Sequence, residues 1–162
     1  MTSPAEPPVP TGARQVQADG AVVFVGPRLA FRVAALRAGV VLVTARGSAD
    51  TPGDTVAELA MHAELDRELE RAGSLTVFAD VRESSRMPAA SRELTAKWLK
   101  RHQARVHPCH VLVRSKLMEM AVSILTMLVG GGMLKLHSKP DTFLEAMRKA
   151  GVKLAALPTI EA

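Results

Sequence analysis

The chain has 162 residues, of which 48% are apolar, enough for one buried core and about the span of a single domain. Its one cysteine, Cys109, excludes an intramolecular disulfide framework, and no charged start followed by an apolar run is found near the N-terminus, so a cytoplasmic location is expected. The net charge of +5 comes mostly from residues 82–114, and the longest apolar stretch, 117–129, contains Glu119 and falls short of the roughly 20 residues that cross a bilayer, so no membrane span is expected.

Residues 1–20 carry four prolines in their first ten positions and almost no large apolar side chain, which predicts a disordered leader. The valine-rich segments 21–25 and 40–45 read as strands around a middle piece, 27–37, bounded by Gly26-Pro27 and Gly39. Within that piece, 29–33 fits a strand or the start of a short helix reaching Leu36, because Phe31, Ala34 and Ala35 suit either period. Two or three antiparallel strands at the start of a sheet are the expectation.

Thr51-Pro52-Gly53-Asp54 predicts a helix start: Thr51 as N-cap, Pro52 in the first turn where its missing N–H costs nothing, and Asp54 favouring the dipole. The helix is expected to run to Ala72 and stop at Gly73. Its apolar residues form two stripes, Val56/Leu59/Ala60/Ala63 and Met61/Leu65/Leu69/Ala72, which implies a buried stripe that drifts along the helix or a face shared at an oligomer contact.

From Ser74 onwards a short apolar run followed by a helix-like segment appears three times: 74–81 then 90–106, 109–114 then 116–129, and 133–137 then 141–150. Such alternation writes a parallel sheet with crossover helices. The run 75–81 is nearly continuous in apolar residues until Asp80, as expected of a central strand covered on both faces. Leu134 and Leu136 alternate with Lys135 and His137, which suits an edge strand, and Phe143, Leu144, Met147 and Ala150 mark the buried stripe of the last helix. Residues 152–162 are expected to form a loosely ordered tail.

Several clusters invite a functional reading. His102, His107, Cys109 and His110 are all potential metal ligands, yet Cys109 and His110 would point to opposite faces of a strand, and no second tight ligand pair completes a tetrahedral site. The same residues offer a Cys/His nucleophile pair without an oxyanion donor or an orienting third group, so neither a metal nor catalysis is expected. The helix at 90–106 carries Arg92, Lys97, Lys100, Arg101 and Arg105 against Glu93, a basic face suited to an acidic protein or anionic surface. With no tyrosine and a single tryptophan, a base-stacking platform is poorly supplied, and no specific nucleic acid is expected.

The segment 117–129 is apolar almost all round. With Trp98, its Leu117, Met118, Met120, Ala121, Ile124, Leu125 and Leu128 make a candidate face for an apolar ligand or a partner, including a second copy of the chain. Ser84 and Ser85 lie on the loop after the central strand, where a phosphate would bring about −1.5 to −2 charges close to Arg82 and Arg86.

The order of elements, with LTVFADVRESS, HVLVRSKLMEM and MLKLHSKPDTFLEAMRKAG, resembles the STAS domains, especially the SpoIIAA-like, STAS/SEC14-type single domains of bacteria, over about residues 21–151. The resemblance implies an α/β fold with one mixed four- to five-stranded sheet and helices packed largely on one side. It also implies a non-enzymatic regulatory role without a cofactor. The phosphorylated motif of that family, D-S-[ST]-G, is matched here only by Asp80-Val81-Arg82-Glu83-Ser84-Ser85-Arg86, which lacks the glycine and displaces the serines. The expected function is a protein-interaction module in a cytosolic signalling assembly. The alternative is a carrier or sensor of an apolar or lipid-like ligand, and an enzyme using Cys109 or a nearby histidine ranks third.

Overall fold

The computed structural model describes residues 10–160. Seven strands form one sheet in strict chain order: β1 (Gln15–Val16), β2 (Val22–Val25), β3 (Leu29–Arg37), β4 (Val40–Gly47), β5 (Thr76–Glu83), β6 (Cys109–Leu112) and β7 (Leu134–His137). Strands β1 to β4 are antiparallel and joined by short turns, whereas β4 to β7 are parallel. Parallel neighbours need long crossovers, and these are supplied by α1 (Pro52–Ala72), α2 (Ala89–His102) and α3 (Lys116–Val129). Each crossover steps to the next strand in one direction, so their common right-handedness places all three helices on one face. The last helix, α4 (Pro140–Lys149), follows β7 and covers the other face, where Phe143 and Met147 pack with Leu42, Phe78 and Leu112.

The sheet thus has seven strands where four or five were expected. One addition is β1, only two residues long and drawn from the expected leader: Gln15 and Val16 pair with Val23 and Val22. Arg14 also holds Glu64 of α1 at 2.9 Å, so residues 10–20 are tied to the domain. Residues 1–9 of the leader lie outside the described residues. The other is β3, which resolves the ambiguous piece as a strand. Leu29, Phe31 and Val33 face the α1 side, while Arg32 on the opposite side is buried against Asp19 and Gln17.

The start of α1 follows its sequence signals. Thr51 caps it, Asp54 closes the capping box, and Gly73 ends it at φ 83° with its N–H donating to Leu69 O. Asp54 also accepts from the Arg28 amide at 2.7 Å, fastening the β2–β3 turn to the helix. Burial alone would raise this carboxyl, but the amides of Arg28, Thr51 and Asp50 and the Thr51 hydroxyl outweigh it and leave it below the usual range. Of the two stripes, Met61, Leu65 and Leu69 face the core, whereas Val56 and Leu59 remain exposed.

Helix α2 ends four residues before the expected limit. Val106 instead forms a bridge beside Leu75, and the Leu75 amide donates to Arg105 O at 3.0 Å. Residues 152–160, expected to be loose, are packed: Val152 and Ile160 are buried, and Arg46 Nη1 donates to Ile160 O at 2.9 Å. At the end of β4, a Cβ on Gly47 would lie 1.9 Å from Arg28 O, so only glycine fits there, and its φ of +86° suits no other residue.

Candidate functional site

Between the sheet and the layer of α1, α2 and α3 lies a cavity of about 150 Å³. Its floor follows from the two-residue period of the strands. On β4 the residues facing α1–α3 become small towards the strand end, where Ala45 and Gly47 succeed Val43, and on β5 Ala79 leaves a gap between Val77 and Val81. The walls are Met61 and Leu65 of α1, Trp98 and Leu99 of α2, and Met118 and Leu125 of α3.

Four polar residues, Glu58, His62, Ser91 and Thr95, interrupt this apolar lining on the helix side. Glu58 is buried, and its Oε2 accepts from Ser91 Oγ at 2.9 Å while Oε1 has no hydrogen-bond partner among the described residues. Burial raises the Glu58 carboxyl above its usual range, against the opposing effect of the Ser91 hydroxyl. His62, one turn on, stacks on Trp98 with ring centroids 5.9 Å apart. Burial pushes this imidazole down to about 4, with Asp66 acting upward and Arg101 downward. Trp98 Nε1 donates to Asp66 Oδ1 at 2.8 Å, which fixes the indole between the two helices.

The cavity wall at the strand ends is made by the β4–α1 and β5–α2 loops. Arg86 of the second loop reaches Asp50 of the first, with Nε 3.0 Å and Nη2 2.7 Å from Oδ1. Ser84 is buried in this wall, whereas its neighbour Ser85 is exposed. Asp80, the strand-end acid, does not join them. It lies on the opposite face of the sheet, where its two oxygens accept from Arg82 Nε and Nη2, each at 2.9 Å.

The histidine and cysteine cluster is dispersed. Cys109 points into the cavity side, where burial pushes its thiol up to about 12, which leaves it an inert buried thiol. His110 points to the α4 face, stacks on Phe78 at 4.8 Å and lies with Nδ1 2.9 Å from His137 Nε2. His102 belongs to α2, with Nε2 3.1 Å from Asp66 Oδ1, and His107 to the following loop.

The apolar candidates divide between two surfaces. Trp98, Met118 and Leu125 line the cavity, and Ala121 is buried without lining it. Leu117, Met120, Ile124 and Leu128 face outward with Met127, which is 83% exposed. Of the basic residues, Lys97, Lys100 and Arg101 project to solvent without an ion-pair partner among the described residues. Arg92 is used to hold Met87 O at 2.7 Å, and Arg105, beyond the end of α2, pairs with Glu70 at 2.9 Å. No helix among the described residues is long and apolar enough to cross a membrane.

Among solved structures, the chain is similar to an anti-sigma factor antagonist from Mycobacterium paratuberculosis, with 15% sequence identity and a TM-score of 0.52. The match covers 74% of this chain and 94% of that one. The fold is STAS-like. No family model matches the sequence, and no curated protein matches it either. Set on the STAS-like fold, the cavity lies under the helix layer, and the 84–88 loop that closes one of its walls follows the central strand.

The polar helix residues of the cavity, Glu58, His62, Ser91 and Thr95, were not among the residues that the sequence singled out, whereas Ser84 of its loop wall was. A signal for two of them existed. Glu58 and His62 fall at helical spacing with Met61, Leu65 and Leu69, so they share the stripe that is buried, in a helix whose other polar residues suggest a solvated surface.

Proposed function

We propose that the protein is a non-enzymatic regulatory module that docks a partner protein on the outer faces of α2 and α3, in the cytoplasm. The observation that carries this reading is the exposed row Leu117, Met120, Ile124, Met127 and Leu128 along α3. Five large apolar side chains on one helix face are a contact surface more readily than a solvated one. Helix α2 packs beside α3, and its Lys97, Lys100 and Arg101, unpaired among the described residues, give the neighbouring surface a positive charge. The partner that fits is a protein with an apolar face rimmed by carboxylates. The similar solved structure is named an anti-sigma factor antagonist, a regulator, which supports the reading through the shared fold. In this scheme the modification site is Ser85, the exposed serine of the loop, and not Ser84.

The test is a photo-reactive residue at position 127, used in the native cell to capture the partner, which is then purified and titrated. Met120→Lys combined with Ile124→Lys is expected to weaken binding by about a hundredfold, and Lys97→Glu with Lys100→Glu by about tenfold at low salt. Unchanged affinity in the α3 double variant overturns the proposal. A concentration-dependent dimer in light scattering, abolished by that variant, would assign the face to a second copy of the chain instead.

A further inference from the structure

We infer that the cavity beneath α1, α2 and α3 is a binding site for a small aromatic molecule carrying one hydrogen-bond donor, of the phenol or indole type. Its size sets the first limit, since an apolar protein cavity of about 150 Å³ accepts a benzene-sized guest. The walls set the second. His62 and Trp98 offer flat ring surfaces, and Met61, Met87 and Met118 bring adaptable thioethers that favour contact with an aromatic ring.

The donor requirement comes from Glu58. Its carboxyl is 5% exposed and forms part of the wall; Ser91 satisfies Oε2, and Oε1 is an acceptor with no partner among the described residues. Buried acceptors are almost always matched in folded proteins; Oε1 is closed off in this conformation, and a small turn of the Glu58 carboxyl towards the cavity lets a ligand O–H or N–H supply the match. A purely apolar guest fills the volume and leaves that oxygen unanswered. Selectivity for the donor-bearing guest over its bare hydrocarbon is therefore built into one residue.

The site differs from the α3 docking face in place and in chemistry. It includes Ser84 and Arg86 of the loop between β5 and α2, so a guest in the cavity touches the segment that carries Ser85. Binding of a small molecule and the state of that loop are thereby coupled through direct contact.

Trp98 is the only tryptophan and stands in the wall, so its emission reports occupancy without a label. Phenol and toluene, which differ by one donor at nearly the same size, are titrated into the full chain with excitation confined to tryptophan, and the affinities are confirmed by calorimetry. Phenol is expected to give a saturable change and to bind about tenfold more tightly than toluene, the ratio of one net hydrogen bond. Glu58→Met is expected to bring the two affinities together, and Ala79→Leu, which fills the floor, to abolish both. Absence of saturable binding by wild-type protein at millimolar phenol, or toluene binding as tightly as phenol, overturns the inference. The phenol–toluene pair needs no variant, so it decides the matter even where Glu58→Met fails to fold.

Discussion

Along β5, Phe78 faces α4 and Ala79 faces α1–α3, and the two sides of the sheet differ as those two residues do. On the α4 side Phe78 meets Phe143 edge-on at 5.6 Å, and Leu42, Leu112 and Met147 are wholly buried around them. The titratable groups there are held by hydrogen bonds: His110 to His137, His137 to the Thr142 hydroxyl, and Asp80 to Arg82. On the α1–α3 side the floor drops at Ala45, Gly47 and Ala79, a cavity opens, and Glu58 Oε1 has no hydrogen-bond partner among the described residues. Labour is thus divided across a sheet one residue thick, with packing that stabilises on one side and space held open on the other.

Removing a large side chain from the dense face should have the greatest effect. Phe143→Ala should cost about 3–5 kcal/mol in urea unfolding, because a wholly buried ring leaves a void that its neighbours cannot close. On the other face Ala79→Val should cost nothing or gain up to about 1 kcal/mol, as expected when a β-branched residue fills existing space in a strand. A loss of several kcal/mol at Ala79 would show that the cavity side is as tightly packed as the α4 side.

Acid should weaken both faces through histidine. His62 and His110 are each held down to about 4 by burial, against an ordinary value of 6.5. Below pH 6.5 the unfolded chain takes up protons that the folded chain refuses, so stability is full above that value and is lost as pH falls towards 4. The loss by pH 4 is about 3 kcal/mol for His62, since lowering a pKa by one corresponds to about 1.4 kcal/mol. Urea midpoints measured from pH 7 to 4 should fall accordingly, and His62→Phe should flatten the part due to the cavity side alone.

Glu58 works in the opposite direction. Its carboxyl is raised by burial, so its proton is held more firmly in the folded state and stability declines as pH rises through its folded value. Glu58→Met should therefore be about 1 kcal/mol more stable than wild type at neutral pH, with the gap closing in acid. A variant less stable at pH 7 would mean that Glu58 holds the helix layer together. The smallest effect belongs to the exposed Arg86–Asp50 pair. Arg86→Ala should leave the urea midpoint where it is while speeding amide exchange in residues 84–88.

The elements were legible where local chemistry decides them. Thr51, Pro52 and Gly73 mark the ends of α1, and α3 covers the expected residues 116–129, with Ser115 found to cap it. The strand count was not legible, because a two-residue strand has no periodicity of its own and β1 exists only through pairing with β2. Nor could a sequence show that Arg32 is buried mid-strand, since Asp19 reaches it from thirteen residues away. The cavity was hidden for a similar reason. Apolar residues of α3 look alike in the sequence, yet Met118 and Leu125 line the interior while Met120 and Ile124 face solvent.

The strictly sequential strand order bears on how the molecule is made. Every strand from β2 onward finds its partner among residues that have already left the ribosome, so the sheet can be laid down in one direction without waiting for a later segment to be inserted. The segment 152–160 runs against that order. By returning from α4 to Arg46 on β4, it acts as a late tether that joins the last-made part of the domain to its middle, and the finished fold is fastened only when that stretch has been synthesised.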